Sequence, residues 1–302
     1  MGKKDVTIIT AFFDIGRKNF EGEFARSNEK YINYFKFWAR LRNNIVVYTD
    51  SVTAEEVIKI RREFGLEDRT KIVIIDDYFK IEPEILDRME KIVKSEEFLK
   101  FRYRPNPADN NAIYDYVMLL KSWCIKDAYE NGFATGMLCW LDFGFNHGGD
   151  VFKVEEEFDF KLEVDLPMDK ITLFSIEDYD NKPIFHVIQD YSVYMMGAPM
   201  YVPYNLAQKL WEDVKEAMNS LLDVGFIDDD QTLLLMSAIK YPERYNIIKS
   251  DWFMPLKEYG GEHLTFERKI EKITLKDKLL KNYRIYKRNK RCMKNLRNLF
   301  WQ

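Results

Sequence analysis

Two periods of apolar residues run along the first 150 positions. "DVTIITAFF" (5–13) is a β-branched run bounded by charge and predicts a buried strand. "SNEKYINYFKFWARL" (27–41) carries Tyr31, Phe35, Trp38 and Leu41 at helical spacing behind an N-cap serine. "NIVVYTD" (44–50) and "TKIVIIDDYF" (70–79) predict two more strands, each ending in acids, with a helix over 51–65 between them. A helical stretch follows over 82–101, then a loop over 104–110 and a long helix over 112–131. "MLCWL" (137–141) predicts the fourth strand. Strand and helix alternating at this spacing imply a largely parallel sheet covered by helices on both faces.

After Asp150 the pattern changes. "KITLFSIEDY" and "HVIQDYSVYMMGAPMYVP" predict further strands of a mixed sheet. An amphipathic helix is expected over 205–225, closed by Gly225. Another starts at "DDDQ" (228–231) and runs until Pro242. The simplest organisation is one catalytic domain over 1–265 and a C-terminal arm over 266–302.

Composition narrows the class. The chain has 302 residues, 46% hydrophobic and 32% charged, as a folded globular protein has. Three cysteines without metal-type spacing argue against a disulfide framework and for a reducing compartment. No apolar run reaches the length of a membrane-spanning helix, and no secretory signal is visible, so a cytoplasmic protein is expected. The net charge of −4 hides an asymmetry: ten Lys or Arg against one Asp put 276–302 at +9, which leaves −13 on the remainder. An acidic body argues against nucleic acid as a partner.

Candidate chemistry sits at the strand ends. In open α/β sheets, ligands bind outside the carboxyl ends of the strands. Asp14, Asp50, Asp76, Asp77 and Asp142 lie at or just past such ends. Asp142 ends a run that should be buried, so its carboxylate emerges from a rigid element, as a functional group should. Gly144 leaves room there for a bulky ligand near the backbone. Lys121 interrupts an apolar helix face; it either pairs with a carboxylate such as Asp142, reaches a phosphate, or snorkels to the surface.

The stretches "TIITAFFDIGR" (7–17), "YDYVMLLKSWCIKDA" (114–128), "MLCWLDFGFNHGG" (137–149) and "GFIDDDQTLLL" (225–235) carry a resemblance. Together they resemble the bacterial HtrL/YibB (WlaTC-type) family, regarded as glycosyltransferases and associated with lipopolysaccharide and other surface-glycan loci. The apolar-apolar-Asp-x pattern at 140–144 also looks like the metal site of GT-A-type glycosyltransferases, with Gly144 in place of the second acid. The resemblance implies a GT-A-like nucleotide-diphospho-sugar transferase fold, with a mixed central sheet and helices on both faces. It implies a nucleotide-sugar donor, a glycan or lipid-linked glycan acceptor, and Mn²⁺ or Mg²⁺ against the donor diphosphate.

Each candidate residue has a role on that reading. Thr10, Asp14, Arg17, Asp50, Lys121 and Trp140 fall on the donor side. Arg17 either pairs with a phosphate or makes a surface ion pair, and Asp50 either meets the ribose or caps the next helix. Asp142 and the late His263 are the candidate metal ligands. Asp230, with Asp229, is the candidate catalytic base, and His147 and Gln231 face the acceptor. Capping alone accounts for one or two of the acids at 228–230. Residues 278–302 form a basic amphipathic pattern suited to peripheral contact with an anionic membrane. Two other readings stand beside this one: a non-catalytic glycan-binding or scaffold protein on a degenerate transferase fold, and a nucleotidyltransferase. The second would need a glycine-rich basic loop after the first strand, and "FFDIGRKNF" has one glycine.

Overall fold

The computed structural model describes residues 2–20, 25–102, 111–179 and 183–267, with Tyr286 and Lys290 beyond them. The basic pattern at 278–302 otherwise lies outside the described residues. Contacts divide the chain into Met1–Phe266 and Glu267–Gln302.

The first unit opens with β1 (Lys4–Phe12), α1 (Asn28–Trp38), β2 (Ile45–Thr49), α2 (Ser51–Glu63) and β3 (Thr70–Ile74). The stretch expected as one helix over 82–101 is two, α3 (Pro83–Ile92) and α4 (Glu96–Phe101), broken before Ser95. Then come α5 (Ala112–Glu130), β4 (Met137–Trp140), the short β5 (Glu163–Val164) and β6 (Ile171–Ser175). Part of the next expected strand, around His186 to Asp190, is instead α6 (Ile184–Asp190). The remainder is β7 (Met200–Pro203), α7 (Ala207–Asp223), α8 (Asp230–Lys240), β8 (Tyr245–Lys249) and α9 (Met254–Glu258).

The sheet order is β3-β2-β1-β4-β7-β6-β8, with β5 paired to the start of β1. Strands β1 to β4 run parallel, β7 is antiparallel to both neighbours, and β6 and β8 are parallel to each other. The expected mixed central sheet with helices on both faces is therefore present. Strand pleating accounts for the two layers: Ile9, Leu138 and Trp140 join one buried cluster with α5, α7 and α8, while Val6, Ile8, Met137 and Cys139 join the other with α1 and α2. Strands buried on both sides need continuous apolar runs, and β2 is buried at every position.

Helix α5 lies across this sheet. It is apolar almost all round, which suits a helix enclosed by neighbours. Asn111 caps it, its Oδ1 accepting from the amides of Ile113 (2.9 Å) and Tyr114 (3.2 Å). The thiols of Cys124 and Cys139 are buried and unbridged, and burial pushes both thiols up.

Candidate active site

Strands β1 and β4 are neighbours, yet the chain leaves β1 toward β2 and reaches β4 only after β3. The connections part at this point, and the carboxyl ends of β1 and β4 open into a crevice there. A cavity of about 510 Å³ fills it. Its walls come from Ala11–Ile15 and Arg17 at the end of β1, Trp140 and Asp142–Phe145 at the end of β4, the inner face of α5, Gly197 and Ala198, the start of α8, and Trp252 and Phe253.

Asp142 is held from within. The Trp140 indole Nε1–H donates to its Oδ1 at 2.8 Å, and the Lys121 Nζ approaches the same oxygen at 2.9 Å. Lys121 also reaches Oδ2 of Asp230 at 2.8 Å. One ammonium thus bridges two carboxylates contributed by β4 and α8. The lysine side chain is 8% exposed and that of Asp230 7%, whereas that of Asp142 is 42% exposed. Burial alone would lower the Lys121 pKa; the attraction of Asp142 and Asp230 more than offsets it, so the lysine stays charged. Burial raises the Asp230 pKa, with Lys121 opposing.

The three acids at the start of α8 have three different tasks. Asp228 is clamped by the buried Arg102 guanidinium (3.0 Å) and by the Thr232 hydroxyl (2.9 Å). Asp229 caps α8, accepting from the Gln231 amide at 3.0 Å, and is half-buried at the cavity wall. Asp230 turns inward to Lys121. Gly197 lies against it so closely that a Cβ there would stand 2.2 Å from Asp230 Oδ2.

Most of the residues read from sequence meet here. Asp14, Arg17, Lys121, Trp140, Asp142, His147, Asp229, Asp230 and Gln231 all line the cavity. Asp14 braces the loop after β1, accepting from the Gly16 amide and the Asn28 side chain, both at 2.8 Å. Arg17 donates to the Tyr31 hydroxyl at 2.6 Å. His147 takes a contact from Arg26 (3.4 Å), and burial followed by Arg26 lowers its pKa.

Four expectations need correction. Asp50 is a helix cap: its carboxylate accepts from the Thr53 amide (2.7 Å) and hydroxyl (3.1 Å) at the start of α2. Asp50→Ala is expected to lower stability by about 1 kcal/mol, measured by urea unfolding, and to leave ligand affinity unchanged. Thr10 is fully buried within β1 and does not line the cavity. His263 hydrogen-bonds the Glu157 carbonyl at 2.9 Å and packs edge-on to Phe160. Its neighbourhood is the amino end of the sheet, where the Phe160 carbonyl accepts from the Arg42 amide just ahead of β2, so it cannot join Asp142. Gly144 lines the cavity, but a Cβ there would meet the Tyr31 ring at 3.1 Å, so its missing side chain serves the close packing of α1. Of the other acids at strand ends, Asp76 accepts from the Ser51 amide and Asp77 pairs with Lys80, both away from the cavity.

The residues that sequence reasoning missed are Arg26, Asn28, Tyr31, Tyr114, Trp252 and Phe253. Tyr31 and Tyr114 look like ordinary helix-face residues. Trp252 and Phe253 arrive from beyond β8, a strand that no clear alternation marks.

The divalent cation implied by the resemblance does not fit this donor set. Oδ1 of Asp142 is already taken by an ammonium and an indole N–H, the second acid is a glycine under a tyrosine ring, and His263 is elsewhere. Among the described residues, no three His, Cys, Asp or Glu side chains form a group able to hold a metal ion.

The family profile described as "Bacterial protein of unknown function (HtrL_YibB)" matches residues 4–261. The chain belongs to the HtrL/YibB family. Protein HtrL of Escherichia coli (strain K12) is 29% identical over 268 residues, covering 83% of this chain and 91% of that protein. Among solved structures, the apo form of mouse xyloside xylosyltransferase 1 is similar at a TM-score of 0.41 and 12% identity, over 83% of this chain and 89% of that one. PaToxG glycosyltransferase is similar at 0.36 and 14% identity, over 80% and 71%. The family match spans every strand of the sheet and all the cavity walls identified above, so this HtrL/YibB chain carries its candidate site within the family's shared region.

Proposed function

We propose that this HtrL/YibB chain is a glycosyltransferase that moves a sugar from a nucleotide-sugar donor to a surface-glycan acceptor of lipopolysaccharide or capsule type. The observation that carries the reading is the Asp142–Lys121–Asp230 bridge in the wall of a cavity of about 510 Å³ at the parting of β1 and β4. A cleft in that position suits a nucleotide. Arg17, Arg26 and Lys121 supply positive charge along the cavity for a diphosphate, and Tyr31, Tyr114 and Trp252 supply aromatic surface for base or sugar.

In the reaction, the bond from the sugar's anomeric carbon to the diphosphate oxygen breaks and a bond to the acceptor oxygen forms. The acceptor's hydroxyl proton passes to a carboxylate. Of the two candidate bases Asp229 and Asp230, Asp229 is the more accessible, with His147 and Gln231 beside the acceptor. Asp230, buried and ion-paired, positions Lys121 rather than taking that proton. The +9 charge of 276–302 supports peripheral attachment to the anionic inner face of the membrane. Among the described residues, no helix is long and apolar enough to cross a membrane.

A thermal-shift screen of UDP, GDP, CMP and common nucleotide sugars tests the reading. One nucleotide at 100 times its Kd should stabilise the fold by about 2.7 kcal/mol. Its nucleotide sugar should be cleaved slowly in water, and Asp142→Ala, still folded, should lose both effects. A screen in which no nucleotide raises the melting temperature counts against a donor site.

A further inference from the structure

We propose that the Lys121 ammonium stands where a divalent cation would stand, so that the donor diphosphate is bound and released without a metal. The inference rests on the donor-site reading above. Its basis is geometric. An ammonium 2.9 Å from Asp142 and 2.8 Å from Asp230 occupies the space between the two carboxylates of this crevice that would otherwise best attract a cation. Both carboxylates come from rigid elements, one directly after β4 and one at the start of α8, so the charge is fixed before any ligand arrives.

Lysine has three N–H donors. Asp142 and Asp230 lie within ion-pair distance of Nζ, which belongs to a side chain that lines the cavity. On this proposal an N–H of that ammonium turns to a phosphoryl oxygen. Arg17 lines the same cavity with its guanidinium fixed by Tyr31, and Arg26 lies beside His147. Three organic cations then face the diphosphate as it departs with the electron pair of the broken bond. A second, divalent cation on Asp142 would be repelled by the ammonium already bound to that carboxylate. Gly197 completes the arrangement, since any side chain there would push Asp230 off the lysine.

The test has two independent arms. In the first, Mn²⁺ alone is titrated against the full chain and followed by electron paramagnetic resonance of the free ion. Wild type should leave the Mn²⁺ signal undiminished. Lys121→Ala, which empties the space between the carboxylates, should bind about one Mn²⁺ and melt higher with it than without. In the second arm, the thermal shift given by UDP, GDP or CMP to the wild type is compared in EDTA and in Mn²⁺. The shift should agree within about twofold in apparent Kd. Stoichiometric binding of Mn²⁺ to the wild type overturns the proposal, as does a nucleotide shift that EDTA abolishes. If no nucleotide gives a shift, the donor-site reading fails and the Mn²⁺ arm still decides the lysine's place. If Lys121→Ala does not fold, both wild-type measurements still decide it.

Discussion

Lys121→Met is expected to lower the unfolding free energy by about 3–5 kcal/mol, the cost of removing one partner from a buried ion pair. The variant keeps the volume of the side chain and removes its charge. Asp230 is then a buried carboxylate with Asp142 as its nearest charge and nothing to balance it. The loss should depend on pH. Burial already raises the folded-state pKa of Asp230, and Lys121 opposes that rise. Without the lysine, the folded-state pKa climbs further above its unfolded value. A carboxyl with a raised folded pKa favours folding when protonated, and that contribution is lost as pH rises through the folded pKa. The deficit of Lys121→Met relative to wild type is therefore largest at neutral pH and shrinks toward pH 4. Asp230→Asn in the same background should recover part of the loss. Urea unfolding of the three proteins at pH 7.5 and pH 5 measures all of this. A deficit identical at both pH values, or one below about 0.5 kcal/mol, the size of ordinary surface substitutions, would show that the bridge does not hold the two carboxylates together.

The second large effect belongs to a glycine. Gly197→Ala places a methyl group 2.2 Å from Asp230 Oδ2 and 3.0 Å from its Cγ. No contact of that length persists, so the Asp230 carboxylate must swing away and the Lys121 pair opens. Overpacking of this kind costs about 1–3 kcal/mol. Nucleotide binding should fall as well, because the ammonium loses one of its two anchors. Asp230→Ala added to Gly197→Ala removes the clash, so the two losses should be less than additive by more than about 0.5 kcal/mol in a double-mutant cycle. Calorimetric titration of the nucleotide identified in the screen reports on the site, and urea unfolding reports on the fold. Strict additivity would mean that residue 197 acts somewhere other than on Asp230.

Particular residues show why the reading from sequence succeeded where it did. The run 5–13 and the stretch 137–141 are apolar at nearly every position, and a strand covered on both faces has no alternative pattern. Their ends could be seen, so Asp14 and Asp142 were found. Lys121 stood out because a charge inside an apolar helix face needs a partner, and the partner foreseen, Asp142, is one of the two present. The segment 184–190 misled because its β-branched Ile184, Val187 and Ile188 suit a strand, whereas it forms α6 behind Pro183 with Val187 and Ile188 buried.

The sequence by itself determined the layered α/β architecture and the strands whose ends carry Asp14 and Asp142, and it marked Lys121 as a charge on an apolar helix face, with pairing to a carboxylate one of three outcomes. These follow from local pattern and from the cost of burying charge, which need no knowledge of distant neighbours. Only the tertiary structure decided that Asp230 is the lysine's second partner, that Asp230 is buried at the cavity wall while Asp229 stays half-buried there, and that His263 belongs to the far end of the sheet. It also decided that Gly144 serves Tyr31 and Gly197 serves Asp230. Each of these depends on a contact between elements remote in the chain, set by the sheet order and by helix packing, and a one-dimensional pattern carries no record of which carboxylate ends up 2.8 Å from which ammonium.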